Sequence, residues 1–342
     1  MNNRLLNLDG IRAFACLLVV WTHMPFPTSR EIVGPLGVGI FFTLSGFLMS
    51  HLYCSKSWDR QSVIAYGIAR FSRSAPIYWV TITVCILLST VVTDPEFPMR
   101  IEGIRQIARH FLFGGSVSVF WSISPEVQYY LFFILVWWAI AFRNTIYIAA
   151  PSVFGICVLL LLSHRSWPGL AMPSKLQFFL AGTLAGITPR LNWQTTAQKI
   201  SLAALQIAAL LILATPFFLY ETKEQFYDSI ELGLAIGFAI YCLSFNSPWT
   251  APILASKLMR KIGQASFSIY LLHVLVFYFG AQMLHLDAEK FEPLWLALVI
   301  PAVGLPMLIS SAIELPLQSV TRKALERTIG SSKFKVRPLK SA

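Results

Sequence analysis

The chain has 342 residues, of which 56% are apolar and 13% charged, and its mean hydropathy is +0.64. That balance excludes a soluble chain and describes a polytopic membrane protein. The net charge of +11 calls for no nucleic-acid partner, because an uneven distribution of Lys and Arg between loops accounts for it.

The chain opens on LDGIRAFACLLVVWTH, Leu8 to His23. Its uninterrupted apolar part, Ala13 to Trp21, is too short to cross a hydrocarbon core of about 30 Å, which takes roughly 20 helical residues. A spanning helix must therefore include Asp9 and Arg12 at one end and His23 at the other, and ionisable groups at that depth are functional candidates. Arg12 and His23 are eleven residues apart, about three helical turns, so both project from one face. Two readings stay open at this point: a cation and an imidazole that do chemistry, or an Arg12 that snorkels beside Asp9 with His23 capping the helix. The thin n-region and the missing small-residue cleavage site predict that this helix stays in the mature protein.

Hydropathy predicts ten spans, at about 8–24, 34–53, 74–92, 125–142, 146–163, 174–188, 199–219, 230–246, 263–283 and 293–313. An even count puts both termini on one side. With them inside, inner segments hold 19 of the 27 Lys and Arg residues, so the positive-inside rule predicts cytoplasmic termini. Residues 1–320 then form one transmembrane domain, and the basic tail, 321–342, contacts the inner leaflet. The one long outer loop, Thr93 to Ser124, carries Ile101, Ile104, Ala108, Phe111 and Leu112 near helical spacing, which predicts an interfacial amphipathic helix resting on the bilayer or roofing a site. The five cysteines have no metal-like or redox-like spacing and read as small core residues; no metal site is expected. No internal repeat, low-complexity tract or appended soluble domain is visible.

Four further stretches stand out. ARFSRSAPIYW puts Arg70 and Arg73 at i and i+3 on one helix face, as a phosphate clamp or a positive-inside anchor. GVGIFFTLSGFL contains the small pair Ser45 and Gly46, suited to close helix contact. WSISPEVQYY carries Trp121, Ser122, Glu126 and Gln128. GQASFSIYLLH carries Tyr270 and His273, and Glu314-Leu315-Pro316 closes the series.

In this order the blocks resemble the integral-membrane acyltransferase 3 family, over residues 8 to 316. Arg12 and His23 match its first-helix pattern of Arg, ten residues, His; Arg70, Arg73, Pro76, Tyr78 and Trp79 match its Arg-x-x-Arg element. Trp121 to Tyr130 resembles its Trp-Ser-x-Ser-x-Glu-x-Gln element, and Ser266 to His273 its Ser-x-Ser-x-Tyr-Leu-x-His element. The chain departs from the family at Gly39, where an Asp is usual, and at Pro125 and Val127.

The resemblance implies an all-α integral membrane protein, about ten helices in one bundle, in the bacterial cytoplasmic (inner) membrane. It implies transfer of an acyl group, most simply acetyl, from cytoplasmic acyl coenzyme A to a sugar hydroxyl of a surface polysaccharide or lipid-linked glycan outside. With no appended hydrolase-like domain visible, a compact modifier of lipopolysaccharide O-antigen is expected. No permanently bound cofactor is expected; acetyl coenzyme A is a substrate, and membrane lipids surround the bundle.

The imidazole of His23, near its unperturbed pKa of about 6.5, can accept a hydroxyl proton, and Glu126, at the same outer level, is expected to hold its tautomer or else make a structural bond. Arg12, Arg70 and Arg73 are the expected donor-binding groups, with Asp9 orienting Arg12. Ser45, Trp121, Ser122, Gln128, Tyr270 and His273 are supporting, and His273 is either a core histidine bonded to Tyr270 or Ser266 or part of a channel. A transporter or flippase for a lipid-linked sugar or small solute is the alternative, with Arg12, Asp9 and His23 as pathway groups; inverted halves, which would favour it, are not visible.

Overall fold

A computed structural model describes residues 5–25, 30–142, 146–163, 170–191, 193, 195–287 and 290–329. Among the described residues the regular secondary structure is entirely helical. The helices are α1 (Leu6–Thr22), α2 (Arg30–Tyr53), α3 (Arg60–Val91), α4 (Ile104–Phe111), α5 (Ile123–Ala141), α6 (Ile146–Leu162), α7 (Leu176–Ile187) and α8 (Thr196–Ala214). They continue with α9 (Pro216–Leu219), α10 (Lys223–Asp228), α11 (Ile230–Leu243), α12 (Ala251–Leu254), α13 (Lys257–Gln264), α14 (Ser266–Leu284), α15 (Leu294–Ile309) and α16 (Leu315–Ile329). A π-helical turn, Ser310–Glu314, joins the last two.

Six helical stretches are long and apolar enough to cross a membrane: Glu31–Tyr53, Arg60–Val91, Ser118–Ala141, Thr196–Leu219, Ser266–Leu284 and Leu294–Ile329. The other expected spans correspond to shorter helices. α1 has 17 residues, α7 has 12 and α11 has 14, and at about 1.5 Å per residue α7 is only about 18 Å long. The shortest of them, α7, is mostly buried in protein. α7 packs against α2 on one side and α11 on the other, and Leu176, Phe178 and Phe179 are fully buried. Close approach there needs glycine: a Cβ on Gly46 would overlap the Phe179 carbonyl oxygen, and one on Gly182 the Thr43 carbonyl oxygen.

α1 separates two apolar clusters. Leu8, Ile11, Ala15 and Val19 join the main core with α2, α3, α5, α7 and α11, while Ala13, Cys16 and Val20 join Ile262, Ile269, Phe277 and Trp295. Two of its faces are thus occupied by packing. The start of α1 is also held: Asn7, wholly buried, donates to the carbonyls of Leu243 (3.0 Å) and Phe245 (2.9 Å). All five cysteines are unpaired thiols, four of them buried, as core residues are.

The outer loop does hold the expected helix, α4, with Ile104 and Leu112 exposed, and Trp79 Nε1 donates to the Phe111 carbonyl at 3.1 Å to moor it. The largest departure is α3, which starts at Arg60 where a span from 74 was expected. Arg70 and Arg73 therefore stand about 15 and 20 Å along a continuous helix, inside it and not at its end. The basic tail falls mostly outside the described residues, which end at 329 with α16.

Candidate active site

Two cavities lie side by side in the bundle, and both are bordered by Val38 and Tyr270. The smaller, about 60 Å³, is lined by Arg12 from α1, Ser45 from α2, Arg73 from α3 and Glu126 from α5, together with Ser122, Tyr130, Ser266 and Tyr270. The carboxylate is fixed there, since Glu126 Oε1 accepts from Ser45 Oγ at 2.7 Å and from the Tyr130 hydroxyl at 2.6 Å. Two guanidiniums against one carboxylate leave the lining with a net positive charge. Arg70 borders neither cavity; its guanidinium lies 5.9 Å from the Tyr130 ring centroid, and its Nε is buried without a partner.

The larger cavity, about 1120 Å³, is lined by His23 where α1 ends, by Trp121, and by residues of the segment before α7 and of α10. His23 is exposed to it. Its ring meets His273 edge to face, centroids 4.7 Å apart at 77°. His23 Nδ1 lies 2.8 Å from the Val19 carbonyl, His273 Nδ1 lies 2.9 Å from the Ile269 carbonyl, and His273 Nε2 is 3.2 Å from His23 Nδ1. A carbonyl oxygen only accepts, so both Nδ1 atoms carry hydrogen. His273 Nε2 is then an acceptor that shares the His23 Nδ1–H, and in the neutral His23 ring Nε2 keeps its lone pair.

The partner of the His23 ring is therefore His273, and Glu126, expected beside His23, faces Arg12 and Arg73. Hydropathy places a residue by depth; the direction it faces is set by packing, and the first turn of α5 is turned toward Ser45 of α2. His273 meets neither the Tyr270 hydroxyl nor Ser266 Oγ; its ring bonds backbone instead, at Ile269 and Tyr270. Asp9 accepts from Gln264 Nε2 at 3.3 Å, tying α1 to α13. Gln128 Oε1 accepts from the backbone of Ala171 (3.0 Å) and Met172 (2.9 Å), so it pins the rim of the larger cavity to α5. Ser122 donates to the Tyr270 hydroxyl at 2.7 Å, which donates to the Val119 carbonyl at 3.0 Å; this pair stands on the border between the cavities. α4 lines neither cavity, so it is no roof to either.

A family model described as an acyltransferase domain, Acyl_transf_3, matches residues 5–313. The chain belongs to the acyltransferase 3 family. Among similar proteins are the O-acetyltransferase OatA of Staphylococcus aureus, 26% identical over 308 residues covering 80% of this chain and 50% of that protein, and the peptidoglycan O-acetyltransferase OatA of Listeria monocytogenes, 28% identical over 311 residues covering 78% and 48%. The chain spans about half the length of these relatives. No solved structure matches it.

Six of the chain's acyltransferase 3 motif residues lie on the walls of the two cavities: Arg12, Arg73 and Glu126 on one, His23 and Trp121 on the other, Tyr270 on both. The remaining Glu of the series, Glu314, is buried at the π-helical turn and accepts from Ser268 and Ser310, each at 2.6 Å, which anchors the end of the chain's last long stretch to α14. Among the described residues no group of three or more His, Cys, Asp or Glu is arranged to hold a metal. Lys175, Glu224, Tyr227 and Asp228, which line the larger cavity, were not singled out by the sequence. The one signal for the last three was a charged, aromatic-bearing segment, TKEQFYDS, between two apolar runs.

Proposed function

We propose that this protein is a multi-pass O-acyltransferase of the bacterial cytoplasmic membrane, with both termini inside, that moves an acetyl group from cytoplasmic acetyl coenzyme A to a hydroxyl of a surface glycan or its lipid-linked precursor. The observation that supports the reading is the imidazole pair: in the neutral tautomer that its bonds favour, His23 Nε2 is free to act as a base in a cavity of about 1120 Å³, large enough for sugar units.

In this mechanism the acceptor oxygen attacks the thioester carbonyl while His23 Nε2 takes the hydroxyl proton. The tetrahedral intermediate collapses, the acyl–sulfur bond breaks, and the same proton passes to the departing thiolate. The new ester and free coenzyme A are the products. Proton transfer of this kind contributes typically 10²–10⁴ in rate. The imidazolium formed in passing shares its Nδ1–H between Val19 oxygen and His273 Nε2, both already in place. On the donor side, the net positive charge of Arg12 and Arg73 against Glu126 suits phosphate or the polar pantetheine arm, and the Tyr270 border is where the acyl group crosses from one cavity to the other.

For the acceptor, O-antigen sugars follow from the sequence reading, and peptidoglycan from the name of the Listeria relative. Mass analysis of surface glycan from cells with and without the protein tests both, each by the loss of acetyl from that polymer. In sealed, oriented proteoliposomes, acetyl coenzyme A on the Arg73 side and acceptor on the His23 side should give product. Turnover with both substrates confined to the His23 side would overturn the crossing.

A further inference from the structure

The larger cavity has a second wall that proton transfer does not use. Trp121 and Tyr227 meet edge to face there, 5.8 Å apart at 75°. The Lys175 ammonium stands 3.7 Å over the Tyr227 ring, in the field of Asp228 and Glu224. Glu224 and Asp228 are four residues apart on α10, hence on one face, and both are exposed. Tyr227 is 7% exposed and its hydroxyl is buried without a hydrogen-bond partner, so the ring serves as the floor beneath Lys175. Lys175 and Lys223 balance Glu224 and Asp228 on the lining, so with His23 neutral the cavity has no net charge, unlike its smaller neighbour.

The wall is built, not incidental. α10 is closed by a capping box in which Thr222 and Gln225 bond each other's backbone. The Gln177 amide donates to the Tyr227 carbonyl. Beneath it Phe226, fully buried, stacks on Phe178 at 5.6 Å. Both rings press on Gly39, where a Cβ would come within 3.2 Å of Phe226 and 3.3 Å of Phe178. Gly39 is the position at which the family pattern has Asp; here the room goes to the anchor of α10.

We propose that this wall is the acceptor subsite and that it takes an uncharged pyranose unit, a deepening that rests on the transferase reading above. The apolar face of the sugar lies on Trp121, its hydroxyls donate to Glu224 and Asp228, and a further hydroxyl is thereby brought to His23 Nε2. Aromatic walls with a few placed polar groups are the usual composition of such pockets, and the balanced charge selects against a polyanionic chain.

The test reads binding without turnover. His23→Ala protein in lipid nanodiscs is titrated calorimetrically with cellotetraose, mannotetraose, tetra-N-acetylchitotetraose and, as the anionic comparison, tetragalacturonate. At least one neutral oligosaccharide should bind, tetragalacturonate should bind at least about tenfold more weakly, and adding Glu224→Gln with Asp228→Asn should cost at least about tenfold, as expected for hydrogen bonds to charged groups. Both substituted side chains are exposed, and an unchanged Tm confirms the fold. The subsite is overturned if no neutral oligosaccharide binds, if the uronate binds more tightly, or if the double variant binds within about twofold of its parent. Sugar binding with no coenzyme A release by the unsubstituted protein would remove the transferase reading and leave the subsite standing; transfer with no effect of the double variant would do the reverse.

Discussion

The two cavities share a border at Val38 and Tyr270 and differ in nearly everything else. One is small, about 60 Å³, and carries two guanidiniums against one carboxylate; the other, about 1120 Å³, carries balanced charges, three aromatic rings and an imidazole. Inside a bundle where low polarity magnifies each uncompensated charge, that difference is what the proposed function uses to sort an anionic, phosphate-bearing donor toward the first cavity and an uncharged hydroxyl compound toward the second. Five substitutions separate the two cavities experimentally.

The largest effect belongs to the base. His23→Ala should reduce transfer by at least about 100-fold, the lower range of a general-base contribution, while membrane abundance and coenzyme A affinity stay as they were, because His23 lines only the larger cavity. Acetyl transfer measured with purified protein, beside calorimetry with coenzyme A, checks both halves. Near wild-type turnover would end the assignment of His23, and lost coenzyme A affinity would mean that the two cavities do not sort the substrates.

Next comes the arginine pair, which the sequence treated alike and the structure separates. Arg73→Lys keeps the charge but loses the planar fork, and because Arg73 lines the smaller cavity the donor KM should rise on the order of tenfold, the worth of a charge-assisted hydrogen bond. Arg70→Lys should change it by less than about threefold, since that guanidinium rests against Tyr130 and borders no cavity. Equal effects at both positions would restore the two-arginine clamp.

That pair also shows where sequence reading stops. The all-helical membrane class, the Arg12-to-His23 face and the close contact through Gly46 were legible, because hydropathy, helical period and residue size are local properties. Spacing along one helix carried Arg12 and His23 to the cavities. It could not carry Glu126 to Arg73 or His273 to His23, which are 53 and 250 residues apart in a chain whose pairings are decided by how helices are turned. The lengths of the short helices were illegible for a related reason: α7, only 12 residues long, is apolar all round while most of it is buried against α2 and α11, and hydropathy alone gives a protein-buried helix and a lipid-facing one the same profile. The α10 wall was illegible because polar, aromatic and acidic residues in a loop are indistinguishable by composition from any outer connection.

Glu126→Gln sharpens the comparison from the other side. The amide oxygen can still accept from Ser45 and Tyr130, so the cavity keeps its shape and loses its single negative charge. Donor KM should fall by roughly twofold to tenfold, the range expected for one charge removed at several ångströms in a partly polar interior. If Glu126 instead acted on His23, kcat would collapse with KM unchanged, and a KM-against-kcat comparison separates the two.

The smallest effect is expected at His273, and it tests how the base is held. Val19 oxygen alone is sufficient to keep the hydrogen on His23 Nδ1, so the tautomer survives without His273; what His273 Nε2 adds is a second acceptor, 3.2 Å away, for the imidazolium that forms during transfer. His273→Phe keeps a ring against Phe277 and removes that acceptor. One hydrogen bond of about 1 kcal/mol, or roughly fivefold in rate, is at stake, and the loss should fall on kcat while both KM values hold. Because the missing acceptor stabilises the charged imidazole, the pH at which activity falls on the acid side should move downward in the variant, since the His23 proton is then held less tightly. A variant that loses 100-fold, or whose acid limb does not move, would show that His273 takes a proton itself or serves only to fill space beside His23.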